Sequence, residues 1–417
     1  MNISDESTKL MRFFSKNFDK EITNKSSTSQ KKTDSILSTL YEKLRLSDKE
    51  VDSLNSSNKV KKYIKNDKLP NSDLLHSSFV VDECREFMDK KTKYIQINTK
   101  IFDKKITIYY TLFEKKINIK KYEKSIKNIL ILLHFLLLHS KEHKTGSLVI
   151  YLYLTPIKKT LPKTSISILD QNSVNTAVTT SCNKNGSILL YRKEEWFKVL
   201  IHELFHLLCL DFSGLEYNKL KKSISNIFQI KSEYNIAETY SEWWATIINC
   251  LFSSYNILDD VCDKNAFLLY GEFFIEFERI FSLFQVIKIL DFMGLDYKEL
   301  ISKNNEDIQL RHTLYREKTN VFCYYILKTI LLYNYDDFLI FCLQNNSSLL
   351  KFKKTPQNFD LLYDFIKKKY NNVHLIKSLT KNHIFSLFYK LKMGARFPYK
   401  DVIINSTRMT IVEITTL

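Results

Sequence analysis

The chain has 417 residues, a formal net charge of +17 and 44% hydrophobic residues. That length can bury a large core in two or more subdomains, which excludes a peptide-like module. The positive charge comes from lysine spread along the whole chain together with asparagine and isoleucine, so nucleic-acid binding is not expected as the main function.

The opening Met1-Asn2-Ile3-Ser4-Asp5-Glu6 lacks the layout of a signal peptide. The most apolar run, Ile129 to Leu138, is interrupted by His134 and is too short to span a bilayer. Seven cysteines (Cys84, Cys182, Cys209, Cys250, Cys262, Cys323, Cys342) form no close pair and read as reduced, buried thiols. These features predict a soluble intracellular protein without a membrane span.

Residues 1–66, rich in Lys, Ser, Asn and Asp, read as a flexible arm. One amphipathic helix at Ser35 to Leu46 offers a docking segment for a protein partner. Residues 67–192 read as a β-rich part. Tyr94 to Asn98 and Ile106 to Tyr110 alternate apolar with polar and predict a hairpin, Ile126 to His139 a buried helix, and Ser147 to Leu154 a strand. His134, His139 and His143 are expected to be structural or exposed. Val174 to Thr180 and Ser187 to Tyr191 predict a second hairpin, turning at Asn183 to Gly186.

Residues 193–255 hold the chemistry. His202-Glu203-Leu204-Phe205-His206 places two imidazoles four residues apart, on one face of a helix, with Glu203 about 100° round from His202. With 9 histidines in the chain, such a string arises by accident only roughly 0.01 times. Its flanks, Trp196 to Ile201 and Leu207 to Leu210, are apolar nearly all round, which predicts a buried helix. Buried imidazoles and a carboxylate need a polar or metallic partner. Neutral imidazoles suit Zn²⁺, which lowers the pKa of a water to about 7, and Glu203 is the base that takes its proton.

Asp211, Glu216 and Glu233 are possible third ligands, although Asp211 falls in the helix-ending stretch Asp211-Phe212-Ser213-Gly214, which reads as a surface turn. Glu238 is better placed. On a second long helix from Asn235 to Phe252, Glu238, Glu242, Ala245 and Asn249 form a polar or small stripe among Trp243, Trp244, Ile247 and Ile248. Glu238 completes a His₂Glu set, and Glu242 can hydrogen-bond a ligand histidine.

Residues 174 to 250 thereby resemble the gluzincin metallopeptidases, the thermolysin-like clan, in which HExxH is followed on a second helix by Glu and, four positions on, an acidic residue. Here that residue is Glu242 where thermolysin-like enzymes carry Asp. The layout and the Lys/Asn/Ile-heavy composition more loosely resemble metallopeptidases of giant DNA viruses, which implies host cytoplasm or virion. The resemblance implies an edge strand at residues 174–180, beside the metal, to pair with an extended peptide. It also implies an oxyanion donor from the downstream helical region; His312, Tyr315, Tyr324 and Tyr325 are available, and the Tyr324-Tyr325 pair is favoured.

Residues 256–417 read as a helical domain, with helices at 264–291, 317–334, 336–345, 357–369 and 373–393. Phe273, Phe274, Phe277, Ile280, Phe281 and Phe284 form a stripe expected in the core. The expectation is an α+β zinc-dependent peptidase acting on peptides or proteins. Its rival is an inactive protein of the same scaffold with a structural or interaction role, such as a virion component.

Overall fold

The computed structural model describes residues 3–18, 27–90, 93–112, 118–394 and 399–415. Its architecture is α+β: a mixed six-stranded sheet and a mainly helical C-terminal region. The strands are β1 (Lys61–Lys65), β2 (Tyr94–Ile101), β3 (Asp103–Thr111), β4 (Thr145–Thr155), β5 (Ala177–Thr179) and β6 (Asn185–Arg192), in the spatial order β1-β2-β3-β4-β6-β5. β4 runs parallel to β3 and β6; the other pairs are antiparallel.

Alternation with period two sets which face each strand buries. Ile106 and Ile108 of β3, Ile150 and Leu152 of β4 and Ile188 and Leu190 of β6 face the main core. Tyr151, Tyr153, Leu189 and Tyr191 face a smaller cluster with Cys84 and Met88. Burying one such aliphatic side chain is worth about 1.5–3 kcal/mol, and a slip of one residue would turn every one of them over.

The helices before the site are α1 (Asp5–Phe18), α2 (Ser27–Ser56), α3 (Asp82–Asp89), α4 (Glu123–Leu137) and the single turn α5 (Gln171–Val174). Residues 1–66, expected as a flexible arm, mostly form α1 and α2, whose Leu10, Phe14, Leu37, Leu40 and Tyr41 are buried in the main core. Phe14 meets Phe281 and Phe284 edge-on. The apolar stripe read as a docking segment, apart from the exposed Leu46, is covered by this chain's own later helices, and the polar composition belongs to the solvent face. One core runs from Leu10 to Ile414, across the expected boundaries at 66, 192 and 255.

The second hairpin is shorter than expected. Asp170 caps α5, which takes residue 174, so β5 starts only at Ala177. Asn185 and Gly186 lie in β6, and the turn uses Cys182 at φ 51°.

The site helices are α6 (Trp196–Leu207), α7 (Asn218–Phe228) and α8 (Ala237–Asn256), followed by α9 (Lys264–Phe292), α10 (Tyr297–Ile301) and α11 (Asn305–Leu314). The expected helix 317–334 begins as a π-helical turn, Phe322–Leu327, and continues as α12 (Lys328–Tyr333). α13 (Tyr335–Asn345) and α14 (Pro356–Lys369) follow; the expected helix 373–393 is two, α15 (Val373–Thr380) and α16 (His383–Lys392), before α17 (Lys400–Asn405). Among the described residues no helix is long and apolar enough to cross a membrane.

Residues 406–414 then thread through the interior as an irregular, bent segment whose backbone groups are met by side chains. Glu195 Oε1 accepts from the backbone N–H groups of Met409 and Thr410, each at 2.6 Å. Glu278 Oε1 accepts from Ile411 and Val412 at 2.9 and 2.8 Å. Asn249 and Trp196 donate to the carbonyls of Val412 and Ile414.

Candidate metal centre

Every residue of α6 is buried. Its first residue follows Glu195, held at φ 59° and ion-paired with buried Lys159. The chain leaves α6 through Cys209 at φ 56°, runs through α7 and returns as α8. α8 packs along α6, with Phe205 stacked on Trp244 at 6.5 Å. Asn235 fixes the start of α8: its Oδ1 accepts from the Ala237 N–H at 3.1 Å, and its own N–H donates to Asn320 at 2.8 Å.

This return brings Glu238 to the histidines. Its Oε2 lies 3.0 Å from His202 Nε2 and 3.2 Å from His206 Nε2, while the two Nε2 atoms are 2.9 Å apart. Glu216 is exposed, and Glu233 is exposed and paired with Lys221, so neither joins the imidazoles.

The outer nitrogens lie beside carboxylates, hydrogen-bonded at His206 and at ion-pair distance without hydrogen-bond alignment at His202. His202 Nδ1 faces Glu242 Oε2 at 3.1 Å, and His206 Nδ1 faces Asp211 Oδ2 at 2.5 Å. Both carboxylates are fully buried or nearly so and are themselves held: Lys198 pairs with Glu242, while Ser213 and Ser241 donate to Asp211 at 2.9 and 3.0 Å. Asp211 is therefore no surface turn. Asp211, a possible third ligand by sequence, instead orients His206 from its outer nitrogen, and Lys198, Asn235 and Ser241 were not foreseen.

These contacts determine what lies between the rings. A carboxylate at each Nδ1 calls for N–H there, which leaves the Nε2 lone pair of each neutral ring directed inward. Two lone pairs and Glu238 Oε2 then converge with no donor of their own among them, an arrangement suited to a cation. Tetrahedral ligands about 2.1 Å from an ion stand roughly 3.4 Å from one another. The observed separations fall a few tenths of an ångström short of that, so small adjustments would admit an ion. Four carboxylates and one ammonium around the rings leave the net negative charge that favours a divalent one.

Burial opposes charge on both rings, but the carboxylates around them outweigh it and raise the proton affinity of His202 and, further, of His206, so a bound cation would take the place of protons at Nε2. Burial alone would raise the Glu238 carboxyl, but His206 and His202 outweigh it and hold it well below its ordinary range. Glu242 behaves likewise, with burial opposed by Lys198 and His202. Glu203 differs: burial dominates and pushes its carboxyl up, against the pull of both histidines. A carboxylate that is not a ligand and has a raised proton affinity is suited to accepting a proton.

Tyr324 and Tyr325 do not act as a pair. Successive residues of a helical turn point in different directions. Tyr324 Oη donates to Glu238 Oε2 at 3.0 Å and its ring lies 5.8 Å from that of His202, whereas Tyr325 donates to the Thr407 carbonyl in the core. Glu317 holds the start of this π turn, accepting from the Phe322 N–H at 3.1 Å. Of the other candidates, Tyr315 is buried beside Glu317 and His312 lies on α11.

A cleft opens beside the donors. Ala177, Val178 and Thr179 of β5, the outermost strand, form one wall, with Asn175, Asn320 and Tyr324 near the rings. An adjoining recess at His202 and Glu203 is lined by Lys198, Val199 and Met409 of the threaded segment.

The cysteines also differ from expectation. Cys182 and Cys209 are disulfide-bonded, Cys182 and Cys262 are exposed, and Cys84, Cys250, Cys323 and Cys342 are buried. Folding of the turn onto the end of α6 closes the 27-residue separation between Cys182 and Cys209. Comparison of the chain with known protein families, curated proteins and solved structures finds no match.

Proposed function

We propose that this protein is a zinc-dependent peptidase of gluzincin type, with His202, His206 and Glu238 as ligands and Glu203 as general base. The observation that carries this reading is the convergence of two inward Nε2 atoms and one carboxylate oxygen beside a second, non-ligating carboxylate, that of Glu203, in an open cleft. Zinc held there supplies an electrophile and acidifies a water. Glu203 accepts the proton and passes it to the leaving amine. Tyr324, kept protonated by burial and by the charge of Glu238, turns its hydroxyl to the oxygen of the attacked carbonyl. The free edge of β5 pairs with the backbone of an extended peptide and holds its carbonyl near Glu203. Glu242 and Asp211 keep both rings in the ligating tautomer.

The test is a metal analysis joined to a hydrolysis assay. The wild type should carry about one zinc per chain after reconstitution, and Glu203→Gln should retain it while hydrolysing peptides about 10²–10⁴-fold more slowly. Absence of zinc from the reconstituted wild type removes the site; full turnover by the variant removes Glu203 as the base. Zinc without turnover of any peptide favours the alternative, a scaffold with a structural role.

A further inference from the structure

A second cluster of metal-ligating and nucleophilic side chains lies behind the β5–β6 turn. The sulfurs of Cys182 and Cys209 and one nitrogen of His143 lie within 4.8 Å of one another. The cysteine Cα atoms are 4.6 Å apart, within the span of about 4.4–6.8 Å that a disulfide bridges. Cys182 faces solvent, while Cys209 and His143 are buried.

Ser140 selects the tautomer of His143. Its one hydroxyl hydrogen goes to the Leu208 carbonyl at 2.7 Å, so its oxygen can only accept from His143 Nδ1, 3.2 Å away. The neutral imidazole then keeps its Nε2 lone pair. Burial lowers this ring's proton affinity, as do the charges of Lys104, Lys351 and Lys184 against that of Glu142, so the imidazole is neutral and its Nε2 can accept a hydrogen bond from a thiol. A proton-accepting imidazole, nearby cations and one accessible thiol make the setting in which cysteines react.

We propose that Cys182 and Cys209 form a reversible thiol–disulfide site, oxidised by a peroxide and reduced by a small dithiol, which fastens the β5–β6 turn to the end of the metal-site helix. The Cys182 thiol passes its proton to His143 Nε2 and attacks the peroxide. An S–O bond forms, the O–O bond breaks, and the departing hydroxide leaves as water with the proton from His143. The Cys209 thiolate then attacks the Cys182 sulfur. The S–S bond forms, the S–O bond breaks, and the hydroxide leaves with the Cys209 proton as a second water. Two thiols and one hydrogen peroxide thus give one disulfide and two waters. Reduction by a dithiol returns both thiols and oxidises the reductant to its own disulfide.

The location gives this chemistry its effect. The Cys182 N–H donates to the His206 carbonyl at 2.8 Å, and that of Asn183 to Leu207 at 3.2 Å. Lys104 pins the far side of the turn through the Lys184 carbonyl at 2.8 Å. The bond therefore adds a covalent tie between the cleft strand β5, just before the turn, and the helix carrying His206. A thiophilic metal is the other chemistry available to this group, but a closed structural site takes four protein ligands and, among the described residues, three meet here.

The test equilibrates the full-length chain, prepared with dithiothreitol and then freed of it, with graded hydrogen peroxide. It is followed by acid quench, alkylation and peptide mass spectrometry. The expected result is joint loss of the Cys182 and Cys209 thiols, a Cys182–Cys209 linked peptide, and recovery of both thiols on returning dithiothreitol. Backbone hydrogen exchange in residues 180–186 should slow by roughly tenfold in the oxidised form. Cys182→Ser, at an exposed position, should abolish both changes, whereas Cys262→Ser should preserve them. The proposal is overturned if both thiols stay alkylatable throughout. It is also overturned if zinc shields them until chelated and Cys182→Ser loses that zinc. Because exchange and alkylation need no turnover, failure of the peptidase reading would be seen separately.

Discussion

Nδ1 of His206 donates to Oδ2 of Asp211 at 2.5 Å, and the same oxygen accepts from Ser241 of α8 at 3.0 Å. One buried carboxylate therefore orients an inward-facing imidazole and ties it to the second helix. Replacing Asp211 with Asn preserves volume but removes the charge that favours N–H at Nδ1. The variant should fold and bind zinc about 10–100-fold more weakly, as read by competition with a chromophoric chelator. Unchanged affinity would assign Asp211 to packing alone.

Tyr324 and Tyr325 make a paired test, because they are neighbours in sequence with different surroundings. Tyr324→Phe should leave zinc content unchanged and lower kcat by about 10²–10³-fold, the range for loss of an oxyanion donor. Tyr325→Phe leaves the buried Thr407 carbonyl without its tyrosine donor, at a cost of about 1–3 kcal/mol. It should lower the Tm and spare turnover. The reverse pattern would exchange their roles.

Glu317 gives a prediction in pH. Burial raises its carboxyl to about 8 from an ordinary 4.5, despite the Phe322 and Val321 N–H groups that favour the charge. Between those values the folded chain holds a proton that the unfolded chain has released. Stability from this group is therefore fully present below about pH 4.5 and is lost as pH rises toward about 8. Glu317→Gln should flatten that decline, by a few kcal/mol at most, in denaturant titrations across the interval. Glu278, raised by burial to about 7, should sustain part of the slope. An unaltered slope in the variant would mean that Glu317 does not titrate there.

What could be read from the chain alone follows from how local each signal is. His202, Glu203 and His206 share one helix, and the stripe through Glu238 and Glu242 shares another, so spacing sufficed for both. Asp211 was hidden because Asp-Phe-Ser-Gly has the same composition in an exposed turn as in a buried one. Its burial depends on Phe212 packing against Phe352 at 4.6 Å and Phe359 at 5.3 Å, residues far along the chain. The choice between Tyr324 and Tyr325 needed the register of the π turn. α1 and α2 looked mobile because the surfaces that cover their stripes belong to later elements: Phe281 and Phe284 of α9 over α1, and α4, α13 and α9 over α2.

The threaded segment 406–414 also bears on the timing of biosynthesis. Met409 lines the recess beside His202 and Glu203, and the backbone around it donates to one oxygen of each of the buried carboxylates of Glu195 and Glu278. Translation delivers these residues after every other group of the metal centre. The recess beside His202 and Glu203 is therefore complete only once this segment has left the ribosome and been drawn inside.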